Sequence, residues 1–139
     1  MKAYLTRRYK FSASHRLHCE SMSEEENRRV YGKCNNPFGH GHNYVLEVTV
    51  SGTPAPDTGM ICSLADLDAF VNREILEQYH DGNLNYMKQF QNVVPTTENL
   101  CMELHRVLQQ KFSEAKIEKI RIQETMMNSF EYAGESAHA

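Results

Sequence analysis

The stretch Cys34-Asn35-Asn36-Pro37-Phe38-Gly39-His40-Gly41-His42-Asn43-Tyr44 puts one thiol and two imidazoles within nine residues. Imidazole and thiolate bind borderline metals, and imidazole carries protons near neutral pH. Histidines one residue apart share a face when the backbone is extended. His40 and His42 have the parity of Tyr44, Leu46, Val48 and Val50, so they continue an inward face. The glycine between them leaves room for a bound ligand. His15 has the parity of Tyr9, Phe11 and Ala13 in an earlier alternating run. If the two runs pair as neighbouring strands, His15, His40 and His42 meet at one end of the sheet. Three histidines with an open fourth position form a catalytic zinc arrangement. One inward histidine alone is ordinarily a hydrogen-bonded core residue; the H-G-H spacing and the third imidazole favour a metal site.

Two further residues break the pattern. Glu124 has the parity of Ile120 and Ile122. Either the strand has ended and Glu124 faces water, or the carboxylate points inward and needs a partner. A nitrogen-rich heterocycle would be such a partner, because a carboxylate accepts two parallel hydrogen bonds. Cys34, in a polar loop six residues before His40, is a base or nucleophile, an extra metal ligand or an inert thiol. His18, His105 and His138 read as surface or loop residues without a role. Cys62 and Cys101 read as small buried hydrophobes, and the absence of C-x-x-C pairs points to reduced thiols.

These residues need elements to hold them. Residues 3–15 alternate as a strand, with Leu5, Tyr9, Phe11 and Ala13 inward. Residues 16–39 show no period, which marks a long functional loop, with a short helical turn over 23–29. Residues 42–51 form a second strand, and Met60-Ile61-Cys62 reads as the end of a paired one. Ser63 caps a helix carrying Leu64, Leu67, Val71 and Ile75, which ends near Tyr79. A second helix begins at Thr96 or Thr97 after Pro95, with Leu100, Leu104, Val107, Leu108 and Phe112 in its stripe. A last long strand covers 116–126, and Phe130-Glu131-Tyr132 extends the sheet. The order ββααββ predicts an α+β fold, a four-stranded antiparallel sheet with two helices on one face.

The chain has 139 residues and a formal net charge of −3, with a pI near 6.2. One domain over 1–139 with a core of its own is expected. The charge argues against nucleic acid as a partner. No apolar run is long enough to span a membrane, and MKAYLTRRYKF is too polar for a signal peptide. A cytoplasmic protein is expected.

Taken together, Phe11-Ser12-Ala13-Ser14-His15-Arg16-Leu17, CNNPFGHGHNY, Thr58-Gly59-Met60, Thr96-Thr97-Glu98-Asn99 and Glu124-Thr125 resemble the 6-pyruvoyl-tetrahydropterin synthase family. The resemblance runs through nearly the whole chain. It implies the tunnelling fold (T-fold) and a homohexamer built as a dimer of trimers, with active sites at subunit interfaces. It implies one zinc ion per subunit on His15, His40 and His42, and a pterin ring anchored by Glu124 with help from Thr96 and Thr97. The implied substrate is 7,8-dihydroneopterin triphosphate, with Mg²⁺ assisting, and Cys34 takes a proton from its side chain. Arg16 and Lys33 are nearby cations that could meet phosphate, or simply solvated loop charges. One departure stands out. The family's Asp-His pair before Asn-Leu is reversed here as His80-Asp81. We expect His80 and Asp81 to form the proton relay in altered geometry. Other members make 6-carboxy-tetrahydropterin for queuosine, or cleave the side chain towards folate. The five residues between Cys34 and His40 favour the pyruvoyl type. A zinc- and pterin-binding protein without turnover is the alternative that the reversed pair raises.

Overall fold

Alternation of apolar and polar side chains carries the first strand, β1 (Ala3–His15), from solvent into the core. In the computed structural model, which describes residues 2–135, β1 pairs antiparallel with β2 (His40–Gly52) along its full length. Ala3 faces Gly52 at one end and His15 faces His40 at the other. β2 also pairs with β4 (Lys116–Thr125), and β4 with β5 (Asn128–Tyr132), both antiparallel. The inward faces of these strands supply Phe11, Tyr44, Leu46, Val48, Val50, Ile120 and Ile122, all buried.

Two helical segments cover that face. Ser63 accepts a hydrogen bond from the Asp66 amide and starts α2 (Leu64–Val71). The chain then passes through a π-turn at Asn72–Leu76 into α3 (Glu77–Tyr79). Leu67, Val71 and Ile75 are fully buried on this segment. Arg7 donates two hydrogen bonds to Asp68, at 3.0 and 2.8 Å, and the Tyr9 hydroxyl donates a third at 2.7 Å. This fork pins α2 to β1. Thr96 caps α4 (Thr97–Lys111), which buries Leu100, Cys101, Leu104 and Leu108. Each such leucine contributes about 1.5–3 kcal/mol through burial.

The α+β class and helices on one face are as expected, but the sheet is larger. It has five strands in the order β3-β1-β2-β4-β5 and is mixed, because β3 (Gly82–Asn83) runs parallel to β1. A two-residue strand has no period to read. It is made by the backbone: Asp81 adopts φ 60° and its amide donates to the Ser12 carbonyl at 2.6 Å. Met60-Ile61-Cys62, expected as a strand end, is irregular. There the Gly59 and Ala55 amides bond back to Ala55 and Met60 carbonyls and close a loop on itself. The long 16–39 segment holds α1 (Glu24–Tyr31), started by Ser23, near the expected helical turn.

His105 also departs from its expected surface place, being 2% exposed. Its ring meets Tyr132 edge to face at 5.0 Å, because β5 packs over the flank of the α4 stripe. Burial holds its pKa below the ordinary 6.5. A folded-state value below the unfolded one means that the unfolded chain takes up protons first as pH falls. The stability is therefore complete above about 6.5 and is lost on acidification. In thermal melts, His105→Gln should lessen the fall in Tm between about pH 7 and about pH 5; burial lowers His15 and His42 in the same direction. His138 lies outside the described residues.

Candidate metal and catalytic site

The β1–β2 register sets His15 opposite His40 and Ala13 opposite His42, which brings the three imidazoles to one corner. Their ring centroids lie 4.6–5.1 Å apart, each pair near perpendicular. Glu124 completes the group, and one ligating atom from each of the four residues lies within 4.8 Å of the others. The inward reading of Glu124 is thus the one found, with its partners being imidazoles. Glu124 Oε1 is 2.8 Å from His42 Nε2 and 3.6 Å from His15 Nε2. A bulge aims it there: Gln123 faces Ser129 and Thr125 faces Asn128, which leaves Glu124 unpaired in the ladder.

The hydrogen bonds fix which nitrogen is free. His15 Nδ1 donates to the Pro95 carbonyl at 2.8 Å, so Nε2 carries the lone pair. That Nε2 is fully buried and has no hydrogen-bond partner among the described residues. His40 Nδ1 lies 3.2 Å from the Lys33 carbonyl, which leaves its Nε2 facing His42 Nε2 at 2.8 Å. Imidazoles whose other ring nitrogen is held by a backbone carbonyl, converging with one carboxylate, are a donor set suited to a metal ion. An orphaned, buried Nε2 lone pair is costly without an acceptor of that pair. The residues therefore fit a divalent cation. Burial lowers the pKa of His15 and of His42, keeping both in the neutral, ligating form. For Glu124, burial acts upward, but Thr97, Asn128 and the two imidazoles outweigh it and hold the carboxyl below its ordinary value. Asn128 Nδ2 donates to Glu124 Oε2 at 3.1 Å.

A cavity of about 870 Å³ opens over the cluster, lined by His40, His42, Glu124 and Cys34 among others. Cys34 sits in a 3-10 turn, Gly32–Asn35, held by its own carbonyl accepting from the Leu17 amide at 2.6 Å. Asn35 Nδ2 donates to the Leu17 carbonyl at 2.8 Å and ties the same turn to the end of β1. Gly39 reaches φ 74° to turn the chain into β2, and a Cβ there would lie 3.1 Å from the His15 carbonyl oxygen. Burial pushes the Cys34 thiol up, and the Glu124 charge adds to this.

The other expected residues divide. Thr96 spends its hydroxyl on the α4 cap, accepting from the Asn99 amide at 3.1 Å. The Thr97 hydroxyl is buried and near enough to Glu124 to lower its pKa, but among the described residues it makes no hydrogen bond of regular geometry. His80 and Asp81 do not line the Cys34 cavity. His80 accepts from the Ser12 amide at 3.0 Å and lies in a groove with Lys10, Ser12 and Asn43, its Nε2 3.6 Å from Asp81 Oδ2. Sequence reasoning missed His18, Arg28 and Asn128, all lining the cavity. Only three-dimensional proximity marks them, since none interrupts a period.

The family model for 6-pyruvoyl tetrahydropterin synthase matches residues 4–135. The 6-pyruvoyl tetrahydrobiopterin synthase of Poecilia reticulata is 45% identical over 133 residues, covering 95% of this chain and 90% of that protein. The Homo sapiens protein of the same name is 42% identical over 135 residues, covering 96% and 93%. The structure of Caenorhabditis elegans 6-pyruvoyl tetrahydropterin synthase superposes with a TM-score of 0.91, at 36% identity and 97% coverage of both chains. A match along nearly the whole chain, in sequence and in fold, places this chain in the 6-pyruvoyl tetrahydropterin synthase family.

Proposed function

We propose that this chain is a zinc-dependent lyase that converts 7,8-dihydroneopterin triphosphate to 6-pyruvoyl-tetrahydropterin and free triphosphate. The observation that carries the reading is the His15–His40–His42–Glu124 cluster, three of whose members line the cavity that Cys34 also lines. His15, His40 and His42 hold the ion. Bound zinc supplies a Lewis acid for the side-chain hydroxyls and a positive field that favours a nearby thiolate.

The chain's own groups do the rest. Glu124, kept ionised by its neighbours, accepts paired N–H donors from the pterin ring. Thr97 offers it an otherwise unused hydroxyl. Cys34, on the cavity wall, removes a proton from the substrate side chain, and triphosphate departs as the leaving group. His80 accepts a backbone N–H on Nδ1, so its neutral form presents Nε2–H towards Asp81. That makes His80 a proton donor in this pose. The family resemblance implies a hexamer with sites between subunits. In such an assembly the exposed His80–Asp81 pair serves a neighbouring chain's Cys34.

Mass spectrometry of the products from 7,8-dihydroneopterin triphosphate and zinc-loaded protein tests the reading. We expect the 6-pyruvoyl product with triphosphate. A 6-carboxy product with acetaldehyde would assign the chain to the other reaction, and unchanged substrate would leave only a pterin-binding role. In the same assay His80→Ala should slow turnover by about 10²-fold; an unchanged rate removes the relay.

A further inference from the structure

The cavity is electrically lopsided. Glu124, beside the histidines, and Glu24 are its acidic lining residues, whereas Arg16, Arg28 and Lys33 are its cationic ones. None of these three cations forms an ion pair with a carboxylate among the described residues. Arg16 Nε donates to the Asn35 carbonyl at 3.2 Å, a neutral partner that anchors the side chain and leaves its charge unpaired among the described residues. Glu24 lines the same cavity one helical turn before Arg28, yet the two do not pair. Three unpaired cations around one concave wall, in a chain of net charge −3, focus a positive potential there.

Placement on α1 decides between this role and a general one. Arg28 and Arg29 both sit in the last turn of α1, where a cation favours the helix end. That benefit is common to both, but only Arg28 lines the cavity. Lys33 lies just after α1, in the turn that carries Cys34.

We propose that Arg28, Lys33 and Arg16 form a polyphosphate-binding wall that holds the substrate's triphosphate and so sets its orientation over the cluster. The ligand's name rests on the pterin triphosphate reading above, while the chemistry needs only a polyanion. With its tail on this wall and its head on Glu124, the substrate's side chain is placed between Cys34 and the histidines. The guanidinium of Arg28 suits a phosphate face through paired N–H donors, and Lys33 serves as a point charge. Arg28 and Lys33 are both exposed, which leaves them free to close on a ligand.

Titration calorimetry with inorganic tripolyphosphate tests this on the zinc-loaded wild type and on R28Q, K33Q and R29Q. Neopterin, which lacks phosphate, is titrated into the same four proteins. We expect tripolyphosphate Kd to rise about tenfold in R28Q and in K33Q, to stay within about twofold in R29Q, and neopterin affinity to hold in all four. Equal effects of R28Q and R29Q would reduce the wall to unspecific surface charge. Unchanged tripolyphosphate affinity in R28Q and K33Q would place the anion on the metal and overturn the proposal. A wild type that binds tripolyphosphate in the expected pattern but not neopterin would sink the pterin reading and leave the wall standing.

Discussion

His42→Ala is expected to strip the ion from the cluster and cut turnover by at least about 100-fold, more than the loss of a supporting group around a metal causes. His42 is the hub of the site. Its Nε2 lies 2.8 Å from His40 Nε2 and 2.8 Å from Glu124 Oε1. Two facing imidazole nitrogens at that distance are tolerated when a proton or a cation sits between their lone pairs. Removing one leaves His15 and His40 as the imidazole ligands, with Glu124 still held by Asn128 through Oε2. Zinc per chain after dialysis, measured by elemental mass spectrometry, should fall from one equivalent to a small fraction. A ligand that binds only the folded state raises Tm, so a chelator should lower the wild-type Tm and leave that of His42→Ala unmoved. The core beneath is untouched, since Tyr44 and Leu46 bury the next two inward positions of β2. A variant with full zinc and a chelator-sensitive Tm would mean that His42 is not a ligand.

That site was legible wherever a residue's place follows from strand parity. His15, His40 and His42 share inward faces with the core, and a side-chain period of two leaves one way to place them. The antiparallel register then adds what parity alone does not, setting His15 opposite His40. Glu124 was ambiguous for a physical reason. It stands at a bulge, where parity no longer fixes direction. β3 was illegible because two residues and one left-handed Asp81 make it, and neither carries a pattern. His105 was misplaced because a lone polar residue beside an apolar helical stripe reads as exposed until β5 widens the covered face. Arg28 and His18 belong to the long segment without a period, whose path depends on Asn35, Leu17 and Cys34 bonding to one another across it. The reversed His80-Asp81 order was visible as a departure, but its distance from the Cys34 cavity was not, because that depends on how the chain leaves α3.

Cys34→Ser is expected to lower kcat by about 10²–10⁴-fold, the range for losing a positioned base, while neopterin affinity and zinc content stay at wild-type levels. Proton removal needs a group that reaches the substrate's side chain, and Cys34 is the thiol lining the cavity. Serine keeps the shape but is a far weaker acid, so it supplies almost no anion at neutral pH. The turn itself should persist, because the Cys34 carbonyl, not its thiol, bonds to Leu17. Loss of turnover with binding intact would separate a lyase from a mere pterin carrier, since a carrier has no kcat to lose. Alkylation experiments need a second variant before they bear on this. The Cys19 thiol, 3.1 Å from the Ser21 hydroxyl, is drawn below its ordinary value by that contact, whereas burial pushes Cys34 up. Without substrate or metal, reagents should therefore modify Cys19 first, although it does not line the cavity. In a Cys19→Ser background, inactivation by iodoacetamide should follow the modification of Cys34 one for one, and neopterin should slow it. Inactivation that runs ahead of Cys34 modification in that background would remove the thiol from the mechanism.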